Sequence, residues 1–86
     1  MKVQTTSGFE CELDKENRID DNWAYVEAIG DVMDGVPGAM AKFAKVILSA
    51  ADYKALKEHC EKNGKVSSAM MQDELIEIIK AASKNS

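Results

Sequence analysis

Two periodicities meet in this chain, and they occupy separate stretches of it. Val3 and Thr5 alternate with Lys2, Gln4 and Thr6; Ser7-Gly8 breaks the run; Phe9, Cys11 and Leu13 then alternate with Glu10 and Glu12. Period-2 patterning around a glycine-containing turn reads as a β-hairpin. Its apolar face would carry Val3, Phe9, Cys11 and Leu13. A lone hairpin is not stable in water, so a helix must cover that face. The rest of the chain has helical spacing. The expected fold class is therefore α+β, mainly α: one domain over residues 1–86, with a hairpin at 1–14, a helical part at 20–82 and a flexible tail at 83–86.

Asp14 to Asn17 reads as a polar connector, and Asp20, Asp21 and Asn22 are good N-caps that suit the helix dipole. The first helix is expected over 22–34, with Trp23, Val26, Ile29 or Gly30, and Met33 as its stripe, widened by Tyr25 and Val32. Gly30 inside it costs about 1 kcal/mol relative to Ala and suggests close packing or a kink. Gly35 ends it, and Gly35-Val36-Pro37-Gly38 is the clearest break in the chain. A second helix is expected over 37–48, with Pro37 in its first turn and Met40, Phe43, Ala44, Ile47 and Leu48 on one face. Ser49 and Asp52 resemble a capping box that opens a third helix over 50–62, with Tyr53, Leu56 and Cys60 apolar. Asn63-Gly64 reads as its stop, with glycine at the left-handed position after the cap. Ser67 is expected to cap a fourth helix whose stripe is Met71, Leu75, Ile78, Ile79 and Ala82.

At 86 residues the chain buries a modest share of its surface, so a partner or self-association would help to stabilise it. Net charge is −4. Acidity argues against non-specific nucleic-acid binding and against docking on an anionic membrane. The acidic residues concentrate before Asp34, whereas residues 42–65 are richer in lysine. A solvated mixed surface is the commoner meaning of that pattern, and a weak dipole along the molecule is the sharper one. Cys11 and Cys60 lack CxxC spacing and fall on apolar faces, which suits buried reduced thiols; a disulfide between them is the alternative. The first residues have no apolar core of a signal peptide, and no run approaches the length of a membrane span, so a cytoplasmic protein is expected.

No catalytic constellation stands in the sequence. His59 is the single histidine and has no nucleophile beside it, since its neighbour Cys60 points about 100° away on a helix. One histidine and two scattered cysteines make no standard zinc site without carboxylates, and no phosphate-binding loop occurs. A helix-turn-helix built on the third and fourth helices would set Asp73 and Glu74 against phosphates. The chain is accordingly read as a non-enzyme without cofactor or metal. What remains is apolar surplus. Trp23, Met33, Met40, Phe43, Met70, Met71, Leu75, Ile78 and Ile79 are the candidate partner-binding or self-assembly residues. For the methionines, core filling is the commoner role and an adaptable contact surface the sharper one. For Trp23 the corresponding pair is core anchor and interface hot spot.

The full chain also resembles a known family. The stretches that carry the likeness are the hairpin Val3-Gln4-Thr5-Thr6-Ser7-Gly8-Phe9-Glu10-Cys11-Glu12-Leu13 and the acidic Asp20-Asp21-Asn22-Trp23 leading into Val26-Glu27-Ala28-Ile29. They continue with Tyr53-Lys54-Ala55-Leu56-Lys57-Glu58-His59, the Asn63-Gly64-Lys65-Val66 turn and the helix from Met71 to Ile79. In this order they resemble the tail assembly chaperones of siphovirus-type bacteriophages, with long non-contractile tails, and of prophages of Gram-positive bacteria. The resemblance implies a protein of the host cytoplasm that coats the tape measure protein, keeps it soluble, helps recruit tail tube protein subunits and is absent from the mature virion. It also implies homo-oligomers and, in many such phages, a longer form made by frameshifting; Ser83-Lys84-Asn85 is compatible with the slippery codons TCA AAA AAC. The alternative reading is a small acidic phage or bacterial adaptor that binds one host protein.

Overall fold

The computed structural model describes residues 2–13, 23–36 and 38–84, and within these the fold is α+β, mainly α. The connector and caps expected at 14–22, Pro37 and the last two tail residues lie outside the described residues. Strands β1 (Lys2–Gln4) and β2 (Glu10–Glu12) pair antiparallel, with Val3 opposite Cys11. Thr5 N–H donates to the Phe9 carbonyl, Gly8 N–H donates to the Thr5 carbonyl, and Gly8 sits at φ 95°. This is the three-residue hairpin loop that needs glycine at its left-handed position. Val3, Thr5, Phe9, Cys11 and Leu13 are buried on one face, as the alternation requires, and Thr5 joins the apolar set.

Helix α1 (Trp23–Met33) ends in a Schellman motif: Val36 N–H reaches the Asp31 carbonyl and Gly35 N–H the Val32 carbonyl, with Gly35 at φ 72°. Its face assignment differs from the expected one. Tyr25 and Ala28 are buried, and Ile29 and Val32 pack against the core. Trp23, Val26 and Met33 point outward instead. The helix has apolar residues on two faces, and periodicity alone does not say which one meets the core. Nor does Gly30 mark an internal close approach, because a Cβ built there meets nothing within 4 Å.

Helix α2 (Ala39–Ile47) starts at Ala39, later than the expected Pro37, because Gly38 occupies the left-handed N-cap at φ 78°. Its stripe is as read: Phe43, Ala44, Ile47 and Leu48 are buried, with Met40 packed against them. Ser49 accepts a hydrogen bond from Asp52 N–H at 3.1 Å and caps α3 (Ala50–His59). Helix α3 stops at His59, and Asn63-Gly64 is no helix terminus but the turn of a second ribbon, β3 (Glu61–Lys62) with β4 (Lys65–Val66). Asn63 at φ 55° and Gly64 at φ 80° supply the two positive φ values of a type I′ turn. Ser67 then caps α4 (Ser68–Lys84) by accepting from Met70 N–H at 3.2 Å. Leu75 and Ile78 on α4, Leu56 on α3 with Cys60 at its C-cap, and Phe43 on α2 are essentially inaccessible and join the hairpin face in one core. The Tyr25 and Phe43 rings meet edge to face at 5.4 Å and seat α1 on α2.

Cys11 and Cys60 are buried free thiols, which settles their pairing in favour of the reduced reading. Burial, with Asp52, Glu12 and Glu74 adding repulsion, pushes the Cys11 thiol up to about 11. Burial and then Glu74 raise Cys60 as well. Neither is a nucleophile at neutral pH. Among the described residues, no helix is long and apolar enough to cross a membrane.

Candidate functional site

Between α2, α4 and the end of α1 lies an open, largely apolar groove. Its larger part, about 530 Å³, runs from the end of α1 at Val32 and Val36 to Met40 on α2 and Gln72, Ile76 and Ile79 on α4. Past Met40, Ala41, Ser68 and Gln72 it continues into a second hollow of about 220 Å³ lined by Tyr53, Val66, Met71 and Leu75. Lys57 closes that end, with its ammonium 4.8 Å from the centre of the Tyr53 ring. From Ser68 to Ile79 the groove follows α4 for about 17 Å, room for about three turns of a guest helix. Its walls are mainly aliphatic and thioether side chains, interrupted by Ser68 and Gln72, with no cluster of three or more metal-ligating side chains among the described residues.

This geometry divides the residues read from the sequence as partner-binding. Met40, Met71 and Ile79 are half-buried walls of the groove. Met70, more exposed, lines a second hollow together with Thr6, Ser7 and Asp73, and Ile76 stands between that hollow and the groove. Trp23 and Met33 stand on the far face of α1. Phe43, Leu75 and Ile78 are core residues of the monomer, and Leu75 reaches the groove only as its floor. Sequence reasoning missed Val32, Val36 and Ile76 as walls. Ile76 offered a signal: on α4 it lies off the Leu75–Ile78–Ile79 stripe, and it is 43 % exposed.

A second arrangement was invisible in the sequence. Ser7, at the tip of the first hairpin, lies 2.8 Å through Oγ from His59 Nε2 at the end of α3, and it donates to Glu74 Oε1 on α4. His59 Nε2 is 3.5 Å from the same carboxylate oxygen, and Phe9 packs on the imidazole at 5.5 Å between centroids. Alongside, Glu77 accepts from Thr6 N–H at 3.0 Å and from Thr6 Oγ1 at 3.1 Å. A serine within hydrogen-bond reach of a histidine is the start of a nucleophile–base pair. A catalytic triad, however, sets its carboxylate on the other ring nitrogen, Nδ1, where it orients the base. Here the carboxylate shares Nε2 with the serine, and the neighbouring amides of Thr6 and Gly8 are committed to Glu77 and Thr5. The cluster is a fastening that pins the hairpin loop to α3 and α4.

Glu74 is 5 % exposed, and its Oε2 has no hydrogen-bond partner among the described residues. Removing a donor from a buried carboxylate costs more than an average hydrogen bond, because the charge then keeps only the more distant His59 beside it. Ser7→Ala is therefore expected to destabilise the fold by about 1–3 kcal/mol in urea unfolding. Adding Glu74→Met to it should recover most of that loss, since an apolar group of similar length then fills the site. Additive losses in the double variant would show that the three side chains do not act as one unit.

Comparison of the chain with protein-family models, with curated proteins and with solved structures gives no significant match.

Proposed function

We propose that this protein is a tail assembly chaperone of siphovirus-type phages or prophages, which holds apolar helical segments of the tape measure protein in solution during tail assembly. The observation that supports this most is the open, methionine-bearing groove between α2 and α4. A carrier for a long helical client needs an apolar channel of low sequence selectivity, and flexible thioethers adapt to varied side chains. One groove of about three turns gives modest affinity; many copies on one long client gain avidity together and still release singly. On this reading the protein works in the host cytoplasm, forms concentration-dependent homo-oligomers along its client, helps recruit tail tube protein and leaves before the virion is complete.

The test is co-expression with the tape measure protein encoded at the same locus. The wild-type chain should keep the client in the soluble fraction and co-purify with it. Ile76→Asp changes an exposed groove wall and should return most of the client to the pellet while the chaperone itself stays folded. A client that is equally soluble without the protein, or with Ile76→Asp, sinks the reading. Capture of a single compact host protein in place of the tape measure protein would favour the adaptor.

A further inference from the structure

We infer that the outward face of α1 is a second docking surface, distinct from the groove, built for a basic amphipathic helix from a different polypeptide. It holds whether or not the groove carries a tape measure segment. Trp23 is 74 % exposed, Met33 81 % and Val26 39 %. At about 100° per residue these three fall within one quadrant of the helix, with Gly30 between them. The stripe is about 15 Å long. A solitary exposed apolar residue is ordinary, but a tryptophan, a valine and a methionine aligned on one helix face form an interface pattern. Gly30 adds a notch at the stripe's centre: a Cβ there would meet nothing within 4 Å in the monomer, so the space is open to a partner's side chain.

Charge names the occupant. Glu27, Asp31 and Asp34 run along one side of the stripe, and the sequence of α1 contains no lysine or arginine. Among the described residues none of the three has an ion-pair partner. The complement is a helix with large apolar residues on one face and lysine or arginine along its flank. A second copy of this chain does not supply one. Two α1 faces would oppose their acidic rows. On α4 the exposed Met70 and Ile76 stand among Asp73, Glu77 and a single lysine, Lys80; on α2 Lys42 and Lys45 flank side chains that are already buried; and the exposed Val66 has Lys62 and Lys65 beside it on a two-residue ribbon rather than a helix.

The chain has a single tryptophan, Trp23, at the head of the stripe, so its emission reports docking directly. The probes are two tryptophan-free helical peptides of about 18 residues with the same leucine stripe, one flanked by lysine and the other by glutamate. The lysine peptide should shift Trp23 emission to the blue and bind at least tenfold more tightly than the glutamate peptide. Val26→Lys and Met33→Lys should each weaken it tenfold or more. Ala51→Lys, which makes the same charge change on exposed α3, should leave affinity within twofold. Gly30→Ala provides a split readout: it should raise the melting midpoint by about 4 °C, as alanine does in a helix, yet weaken the peptide by filling the notch. Equal binding of both peptides, unchanged affinity in Val26→Lys and Met33→Lys, or a homodimer that Val26→Lys dissolves would each overturn the assignment.

Discussion

Ile78→Asp is expected to abolish cooperative folding. Ile78 is wholly buried on α4, in the same core as Leu75 and Phe43. Truncating such a side chain costs about 2–5 kcal/mol in lost contacts and residual cavity. A carboxyl group without a partner in the same place adds a further desolvation penalty of several kcal/mol, whether it stays charged or takes up a proton. A domain of this size has about 4–13 kcal/mol to lose. Near-UV circular dichroism should therefore be flat for Ile78→Asp, with no sigmoidal urea transition. Ile76→Asp is the matched control, two residues earlier on the same helix and 43 % exposed. It should cost about 1–2 kcal/mol and keep a cooperative transition. If the two variants behave alike, the face of α4 assigned to the core is wrong, and the groove with it.

The contrast between those neighbours shows what was legible in the sequence. On α4 the stripe Met71, Leu75, Ile78, Ile79 is the only apolar face of any width, so periodicity places it unaided, and the same holds for Phe43, Ala44 and Ile47 on α2. The hairpin was legible because a period of two leaves one choice of inner face, and Val3, Phe9, Cys11 and Leu13 took it. Helix α1 was not legible in this sense. Tyr25, Ala28 and Val32 compete with Trp23, Val26 and Met33, and only packing against Phe43 decides for the first set. Asn63-Gly64 failed for another reason. Both a helix stop and a type I′ turn use positive φ, and the short segments beside it, Glu61–Lys62 and Lys65–Val66, carry too little alternation to declare themselves strands. The Ser7–His59–Glu74 fastening joins parts of the chain that only the fold brings together. The groove was half legible: the methionines that line it were singled out, but its remaining walls, Val32, Val36 and Ile76, come together only when α1, α2 and α4 pack.

Phe43→Ala is expected to lower stability by about 3–5 kcal/mol. Phe43 has no accessible surface, and its ring takes the edge of Tyr25 at 73°. No other ring contact ties α1 to α2 among the described residues. Removing it opens a cavity under α1, against the helix's inner residues Tyr25, Ala28, Ile29 and Val32. For a domain of this size each kcal/mol moves the thermal midpoint by about 4–8 °C, so the midpoint should fall by roughly 12–40 °C. Phe43→Leu keeps most of the volume but loses the aromatic edge, and should cost about 1–2 kcal/mol. The same pair separates the two surfaces proposed above. Because α1 supplies the outward stripe and, through Val32 and Val36, one end of the groove, Phe43→Ala should weaken binding at both. Val26→Lys should affect only the stripe, and Ile76→Asp only the groove. Selective loss in the surface variants with joint loss in Phe43→Ala is the pattern two independent sites on one marginal scaffold must give. A Phe43→Ala protein that melts within 5 °C of wild type would mean that the α1–α2 seam does not close the core.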